Sequence, residues 1–285
     1  TIGGAPSAHD ASLRPIAVVP FTFSMEILAE AAAKFTGNPA LRTIGIENSR
    51  GSRWLALDQG TLDLRIVCER APARPGVERV MGRIFALNQG GPAGGLMVFE
   101  AVTLLAAQYP EAPAARPWTA PDEQPPRNNT DAELYSRGMF HGPRLQGVTH
   151  LRRCAAQAME ADLVAIAVQD YFSFNAAPQF QFDAALLDAA GQLAGYWLTE
   201  QHERGVNCFP FRVGSVRTYA QPPAPGAKIL CRAGLHFTDK HMLEAHFDLV
   251  DESGRLIMRV DGWEDRVFAT PQRLYEYRLR PRELY

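Results

Sequence analysis

Between Pro110 and Thr130 the chain reads PEAPAARPWTAPDEQPPRNNT, a run with six prolines and no apolar period. Proline fixes its own φ and lacks a backbone N–H, so neither a helix nor an inner strand runs through such a stretch. An extended surface linker is the expectation. Any fold for this chain is therefore assembled from two parts, residues 1–109 and 131–285, joined across 110–130. Each part is long enough to bury a core.

The two parts share a plan. Residues 21–35, FTFSMEILAEAAAKF, place Phe21, Met25, Leu28 and Ala32 on one face, follow Pro20 and Thr22 as start signals and stop at Gly37, which predicts a helix. Strand character follows at 41–46, 53–68, 77–86 and 96–105. Beyond the linker come a short helical entry at 131–139, strands near 147–170 and a long apolar helix over 184–201. Strands near 212–219, 227–237, 241–250 and 255–268 complete the second part. A helix with an antiparallel sheet around it, twice over, is an α+β layout.

Charge and composition exclude several classes of function. Twenty-nine basic and 31 acidic residues leave a net charge of -2, without long runs of one sign, so no nucleic-acid footprint is visible. No apolar stretch reaches the roughly 20 residues that cross a bilayer, and no signal segment is visible, so a cytoplasmic location is expected. Cys68, Cys154, Cys208 and Cys231 lie far apart with no paired spacing, as expected of plain buried thiols rather than metal ligands. The opening at Thr1, on a Gly-rich stretch, suggests a piece cut from a longer polypeptide.

The residue with the clearest chemical meaning is Asp188, set mid-helix in FDAALLDAAGQLAGYWL among Leu186, Leu187, Ala189, Ala190 and Leu193. Burial disfavours the charged form of a carboxyl, and an acid that keeps its proton near neutrality can hand it to a leaving hydroxyl. A core ion pair or a cap is the plainer reading of the same residue. Gln192, at i+4, shares its helical face and can bond the carboxyl or a departing oxygen. Asp183 falls where an N-cap belongs. In YSRGMFHGPRLQGV, residues 135–148, Gly142-Pro143 forces a turn that can bring His141 to a cleft, although a histidine in a turn is more often structural.

The run FHGPRLQG, followed about forty residues later by LLDAAGQ, resembles the second half of polyketide synthase dehydratase domains, whose signatures are a Gly-Pro-x-Phe-type turn and an Asp-x-x-x-Gln/His helix. IAVVPFTFSMEILAEAA at 16–32, RWLALD at 53–58 and GWEDRVF at 262–268 resemble the same family, and the wording is nearest to iterative bacterial synthases of the enediyne and polyunsaturated type. Leu145 stands where an aromatic is commoner.

The resemblance implies a double hotdog, two tandem units in each of which an antiparallel sheet wraps a long helix. It implies removal of water from a 3-hydroxyacyl thioester by a His base and an Asp acid, with Asp188 as the acid. Gln192, His141, Gly142, Pro143, Gly4 and Pro20 would bind the substrate, and Phe21, Met25, Leu187 and Tyr196 would line its channel. The family's histidine precedes a glycine by four positions, and Thr1-Ile2-Gly3-Gly4 is similar to the tail of that motif, which puts the base one position before Thr1. His9 is the fallback. Backbone N–H groups at Gly4 or at the start of the first helix would stabilise charge on the thioester carbonyl. No metal or organic cofactor is implied, because the substrate rides on the phosphopantetheine arm of an acyl carrier protein. That carrier and neighbouring synthase domains are the implied partners, with a homodimer left open. Two other readings stand beside dehydration: a product-template-like cyclase and a catalytically degenerate, structural dehydratase domain.

Overall fold

The computed structural model describes residues 18–269, apart from 58–60, 73, 88–93, 136–138, 140, 170, 173–174, 176–177 and 202–205. Gly4 and His9 lie outside the described residues. In the first half a two-residue strand β1 (Val18–Val19) leads into helix α1 (Phe21–Thr36), followed by β2 (Arg42–Gly51), β3 (Leu55–Ala56), β4 (Leu64–Arg70), β5 (Glu78–Ala86) and β6 (Leu96–Ala106). In the second, single turns of 3-10 helix at Asp131–Glu133 and Pro143–Leu145 precede β7 (Val148–Ala155) and β8 (Ala158–Val164). Helix α2 (Ala184–Gln201) and strands β9 (Val206–Thr218), β10 (Lys228–Asp239), β11 (Met242–Val250) and β12 (Leu256–Ala269) follow.

Both helices lie where the apolar period placed them. Helix α1 buries Met25, Leu28, Ala29 and Ala32 and ends at Gly37, whose φ of 66° is the left-handed conformation that glycine adopts without steric cost. Helix α2 is apolar almost all round and is accordingly buried almost all round, from Ala184 to Leu198. The single segment expected over 53–68 is instead two. Leu55–Ala56 pairs with Val18–Val19 apart from the main sheet, and β4 starts only at Leu64. The strands expected to reach residue 170 stop at Val164, ahead of the aromatic-rich approach to α2.

A repeated helix-and-sheet plan leaves open whether the two sheets stay apart. They do not: ten antiparallel strands form one sheet in the order β4-β5-β6-β2-β9-β12-β11-β10-β8-β7. The join is β2 against β9, with Gly45 opposite Arg217, Ile46 opposite Val216 and Glu47 opposite Ser215. Pairing these strands removes two exposed edges from the middle of the molecule. Glu47 secures the join. Its carboxylate accepts from Arg74 at 2.8 Å, Arg79 at 3.0 Å and, across the boundary between the halves, Arg217 at 2.5 Å.

The proline-rich segment is extended but pinned. The Arg116 backbone N–H donates to Asp248 Oδ2 at 2.7 Å, Arg259 donates to the Ala114 carbonyl and Arg232 to the Arg116 carbonyl. Trp118 lies under the Arg153 guanidinium, 4.4 Å from ring centroid to Cζ, and Gln124 forms a backbone bridge with Cys154. The four cysteines are free thiols, but only Cys154 and Cys231 are buried; Cys68 and Cys208, on strands with one face toward solvent, are partly exposed. Among the described residues no helix is long and apolar enough to cross a membrane.

Candidate active site

Helix α2 carries Asp188 and Gln192 one turn apart, so both side chains project toward the Gly142-Pro143 turn. Gly142 is the N-cap of the Pro143–Leu145 turn, its carbonyl accepting from Leu145 N at 2.9 Å. Proline at the first helical position fits because the missing N–H would be unpaired there anyway. The turn fixes two groups. Gln146 Nε2 donates to the His141 carbonyl at 2.9 Å, and His141 Nε2 then stands 3.5 Å from Asp188 Oδ2. The Leu145 carbonyl accepts from Gln192 Nε2 at 2.8 Å.

Gln192 is almost fully enclosed and fully engaged. Its Nε2 also donates to Asp188 Oδ2 at 2.9 Å, and its Oε1 accepts from the Tyr135 hydroxyl at 2.8 Å. Tyr135 Oη in turn accepts the Val148 backbone N–H at 2.7 Å. With both amide hydrogens committed, Gln192 has none left for a substrate hydroxyl, so the direct substrate contact expected of it is replaced by a hold on Asp188.

Helix α1 supplies the opposite wall. Thr22, in its first turn, is buried near Asp188, with its hydroxyl in no hydrogen bond of ordinary geometry. One turn further on, Glu26 accepts the backbone N–H groups of Gln181 at 2.5 Å and Phe182 at 3.1 Å, at the entry to α2. That clasp sets the register of the two helices and hence the approach of Thr22 to Asp188. Asp183 caps α2, its Oδ1 accepting from Leu186 N at 2.8 Å, as the N-cap position predicts. Tyr171 closes a third side: its hydroxyl donates to the Arg144 carbonyl, and its ring packs on Phe23 and Phe180.

These surroundings decide the state of Asp188. Burial is the largest influence and raises its pKa above the ordinary carboxylate range, while His141 when protonated, the Gln192 amide and the Thr22 hydroxyl pull it partly back. About 13% of the side chain stays exposed. The carboxyl is thus desolvated yet reachable, the condition for an acid that holds its proton and can still meet a substrate. Burial pushes Glu26 well up and Asp183 to about 6.

The structure brings Asp188, Gln192, His141, Gly142 and Pro143 together. Pro20 sits at the N-cap of α1, two residues before Thr22, and its carbonyl accepts from Phe23 N and Ser24 N. Phe21 is half-buried, edge-on to Phe99 at 4.8 Å. Met25, Leu187 and Tyr196, expected along a channel, have no exposed surface, and Tyr196 donates its hydroxyl to the Leu134 carbonyl, so they are core. Thr22, Glu26 and Tyr135 escaped notice as site residues. Thr22 and Glu26 did leave a signal, two polar residues at i, i+4 on the apolar face of α1.

The family described as "Polyketide synthase dehydratase N-terminal domain" matches residues 113–273, more than half of the chain. The chain belongs to the polyketide synthase dehydratase family. Solved dehydratase domains share its fold. That of PpsC from Mycobacterium tuberculosis is 19% identical, with 90% of this chain and 86% of that one covered at a TM-score of 0.64. A trans-AT synthase dehydratase domain from Brevibacillus brevis is 16% identical over 89% and 86%, with a TM-score of 0.66. The dehydratase domain from the CurJ module of the curacin synthase is 15% identical over 89% and 84%, with a TM-score of 0.60. The architecture of this polyketide synthase dehydratase domain is accordingly the double hotdog. No curated protein matches the chain. The narrower likeness to enediyne and polyunsaturated-type synthases rests on motif wording alone.

Proposed function

We propose that this domain removes water from a 3-hydroxyacyl thioester to give the 2,3-enoyl thioester, with Asp188 as general acid. A histidine of the N-terminal segment takes a proton from C2, and the electron pair forms the C2–C3 double bond. The C3–O bond breaks as Asp188 gives its proton to the leaving oxygen. Histidine ends protonated and Asp188 ionised, and proton exchange with solvent resets both. The observation that carries this reading is the state of Asp188: a carboxyl with a raised pKa, open over a small part of its surface, with an amide N–H on one oxygen ready to stabilise the anion that proton transfer leaves.

The thioester reaches the site on the phosphopantetheine of an acyl carrier protein, and the domain works beside the other domains of a synthase. The chemistry needs no metal or organic cofactor. His141, Gly142 and Pro143 shape the wall against which the hydroxyl-bearing carbon lies. The test is to incubate the domain, extended upstream to include the histidine expected before Thr1, with a 3-hydroxyacyl carrier or pantetheine thioester and to follow loss of one water by mass. Asp188→Asn is expected to lower turnover by about 10² to 10⁴ fold. Absence of dehydration, with Asp188→Asn indistinguishable from parent, overturns the reading.

A further inference from the structure

We infer that Tyr135 is a positioning residue for this reaction: it fixes which way round the Gln192 amide is held, and thereby which oxygen of Asp188 keeps the acid's proton. The inference rests on Asp188 being the general acid. A phenol has one hydrogen. Tyr135 Oη accepts the Val148 backbone N–H at 2.7 Å and gives its hydrogen to Gln192 Oε1 at 2.8 Å. The other end of the amide decides that orientation. It lies 2.8 Å from the Leu145 carbonyl, an acceptor only, so the atom there is Nε2.

An amide held at both ends cannot turn over. It therefore presents an N–H to Asp188 Oδ2, 2.9 Å away, the same oxygen that His141 Nε2 approaches to 3.5 Å. Oδ2 is an acceptor site, and a proton placed on it would point into an N–H. The neutral acid therefore carries its proton on Oδ1, which is the oxygen that gives it to the departing hydroxyl. Once it has done so, the Gln192 N–H is already aimed at the carboxylate, and hydrogen bonds to the charged form are the stronger ones. The other groups around the carboxyl are Thr22 from α1, His141 from the turn, and Tyr171, which feels the charge of both Asp183 and Asp188.

Removing the Tyr135 hydroxyl leaves the Val148 N–H and Gln192 Oε1 without their partner, and the amide, held then only at its Leu145 end, is looser against Asp188. The test compares parent, Tyr135→Phe, Gln192→Ala, the double variant and Asp188→Asn in the dehydration assay. Tyr135→Phe, which keeps the ring packed against Tyr196, is expected to lose roughly tenfold in kcat with KM within about twofold. Its alkaline limb moves to higher pH, because the ionised acid has lost a donor. The double variant is expected to be no slower than Gln192→Ala, since Tyr135 acts through that residue. Titration of the Asp188 carboxyl by ¹³C NMR reads the same upward shift without turnover. A parental kcat and titration in Tyr135→Phe, or losses that multiply in the double variant, overturn the inference while Asp188→Asn still shows the acid to be essential. If Asp188→Asn equals parent, it is the dehydratase reading that has failed.

Discussion

Gly191 of α2 lies directly beneath the indole of Trp263 on β12, so close that a Cβ on it would come within 2.5 Å of Trp263 Cζ2. One turn along, a Cβ at Gly195 would meet only the end of Met139, its Cε at 2.2 Å and its Sδ at 3.5 Å. Both glycines cost the helix about 1 kcal/mol of propensity relative to alanine. Trp263 is boxed in by Phe247 at 5.5 Å and by its own hydrogen bond to Asp265 and cannot give way, whereas a methionine end can turn aside. Gly191→Ala is therefore expected to destabilise by about 1 to 3 kcal/mol and to disturb the helix face that carries Asp188. Gly195→Ala is expected to be neutral or slightly stabilising. Urea denaturation of the two variants checks the contrast.

His141 sets the acid's working range from the other side. When protonated, the His141 imidazole 3.5 Å from Oδ2 favours the ionised carboxyl, so replacing His141 with Phe should raise the pKa of Asp188 further. A general acid works while protonated, and its rate falls as pH rises through its pKa. The alkaline limb of kcat in His141→Phe is thus expected at higher pH than in the parent, while Asp188→Asn has no such limb to move. A pH–rate profile from about pH 5 to 9 shows the direction, and a limb that moves to lower pH contradicts it.

Where one physical signal dominates, sequence and structure coincide. The apolar period of α1 and α2, the left-handed stop at Gly37, the cap at Asp183 and the turn at Gly142-Pro143 are local, and each follows from residues within one or two turns of chain. The join of β2 to β9 is not local. Nothing in RTIGIENSRG announces VNCFPFRVGSVRT as its neighbour, and Glu47 reads as a solvated charge until three arginines from β5, β9 and the loop before β5 surround it. Gln192 was visible as a partner of Asp188, but the Tyr135 hydroxyl and the Leu145 carbonyl that orient it come from a separate segment and a backbone atom. Hydrogen-bond direction is settled only when all the partners are in place.

The Glu47 cluster has its own expected outcome. Burial works against its charge, but Arg74, Arg217 and Arg79 outweigh that and hold its pKa below the ordinary value. A carboxylate with a depressed folded pKa stabilises above the unfolded value and loses that contribution as pH falls through the folded pKa. Glu47→Gln leaves two half-buried guanidinium groups short of a charge partner and should destabilise by roughly 1 to 3 kcal/mol at pH 7, a range reduced for the partial exposure of the arginines. The gap between parent and variant should narrow as pH falls below the ordinary 4.5 and close once it has passed the depressed folded pKa. Thermal melts at pH 7 and at pH 3.5 measure it, and a gap that persists unchanged at the lower pH argues against the cluster as its origin.

Asp265 is expected to behave in the opposite sense. It is 1% exposed on β12 and accepts from Trp263 Nε1 at 3.0 Å, and burial pushes its pKa up to about 7 from an ordinary 3.8, against the Trp263 indole and the Cys208 thiol, which both lower it. Between those two values the folded chain holds a proton that the unfolded chain has released. Stability therefore falls as pH rises through that window, by about 1.4 kcal/mol per pH unit for this group, and is flat above it. Asparagine keeps an oxygen for the Trp263 N–H and removes the titration. Asp265→Asn should accordingly match the parent near pH 4 and exceed it by several kcal/mol near pH 8. Glu26 and Asp183, also raised by burial, tilt parent and variant alike and cancel in the comparison. Urea denaturation of both proteins at pH 4, 6 and 8 decides the matter, and a constant difference across the three would show that Asp265 is ionised in the folded chain throughout.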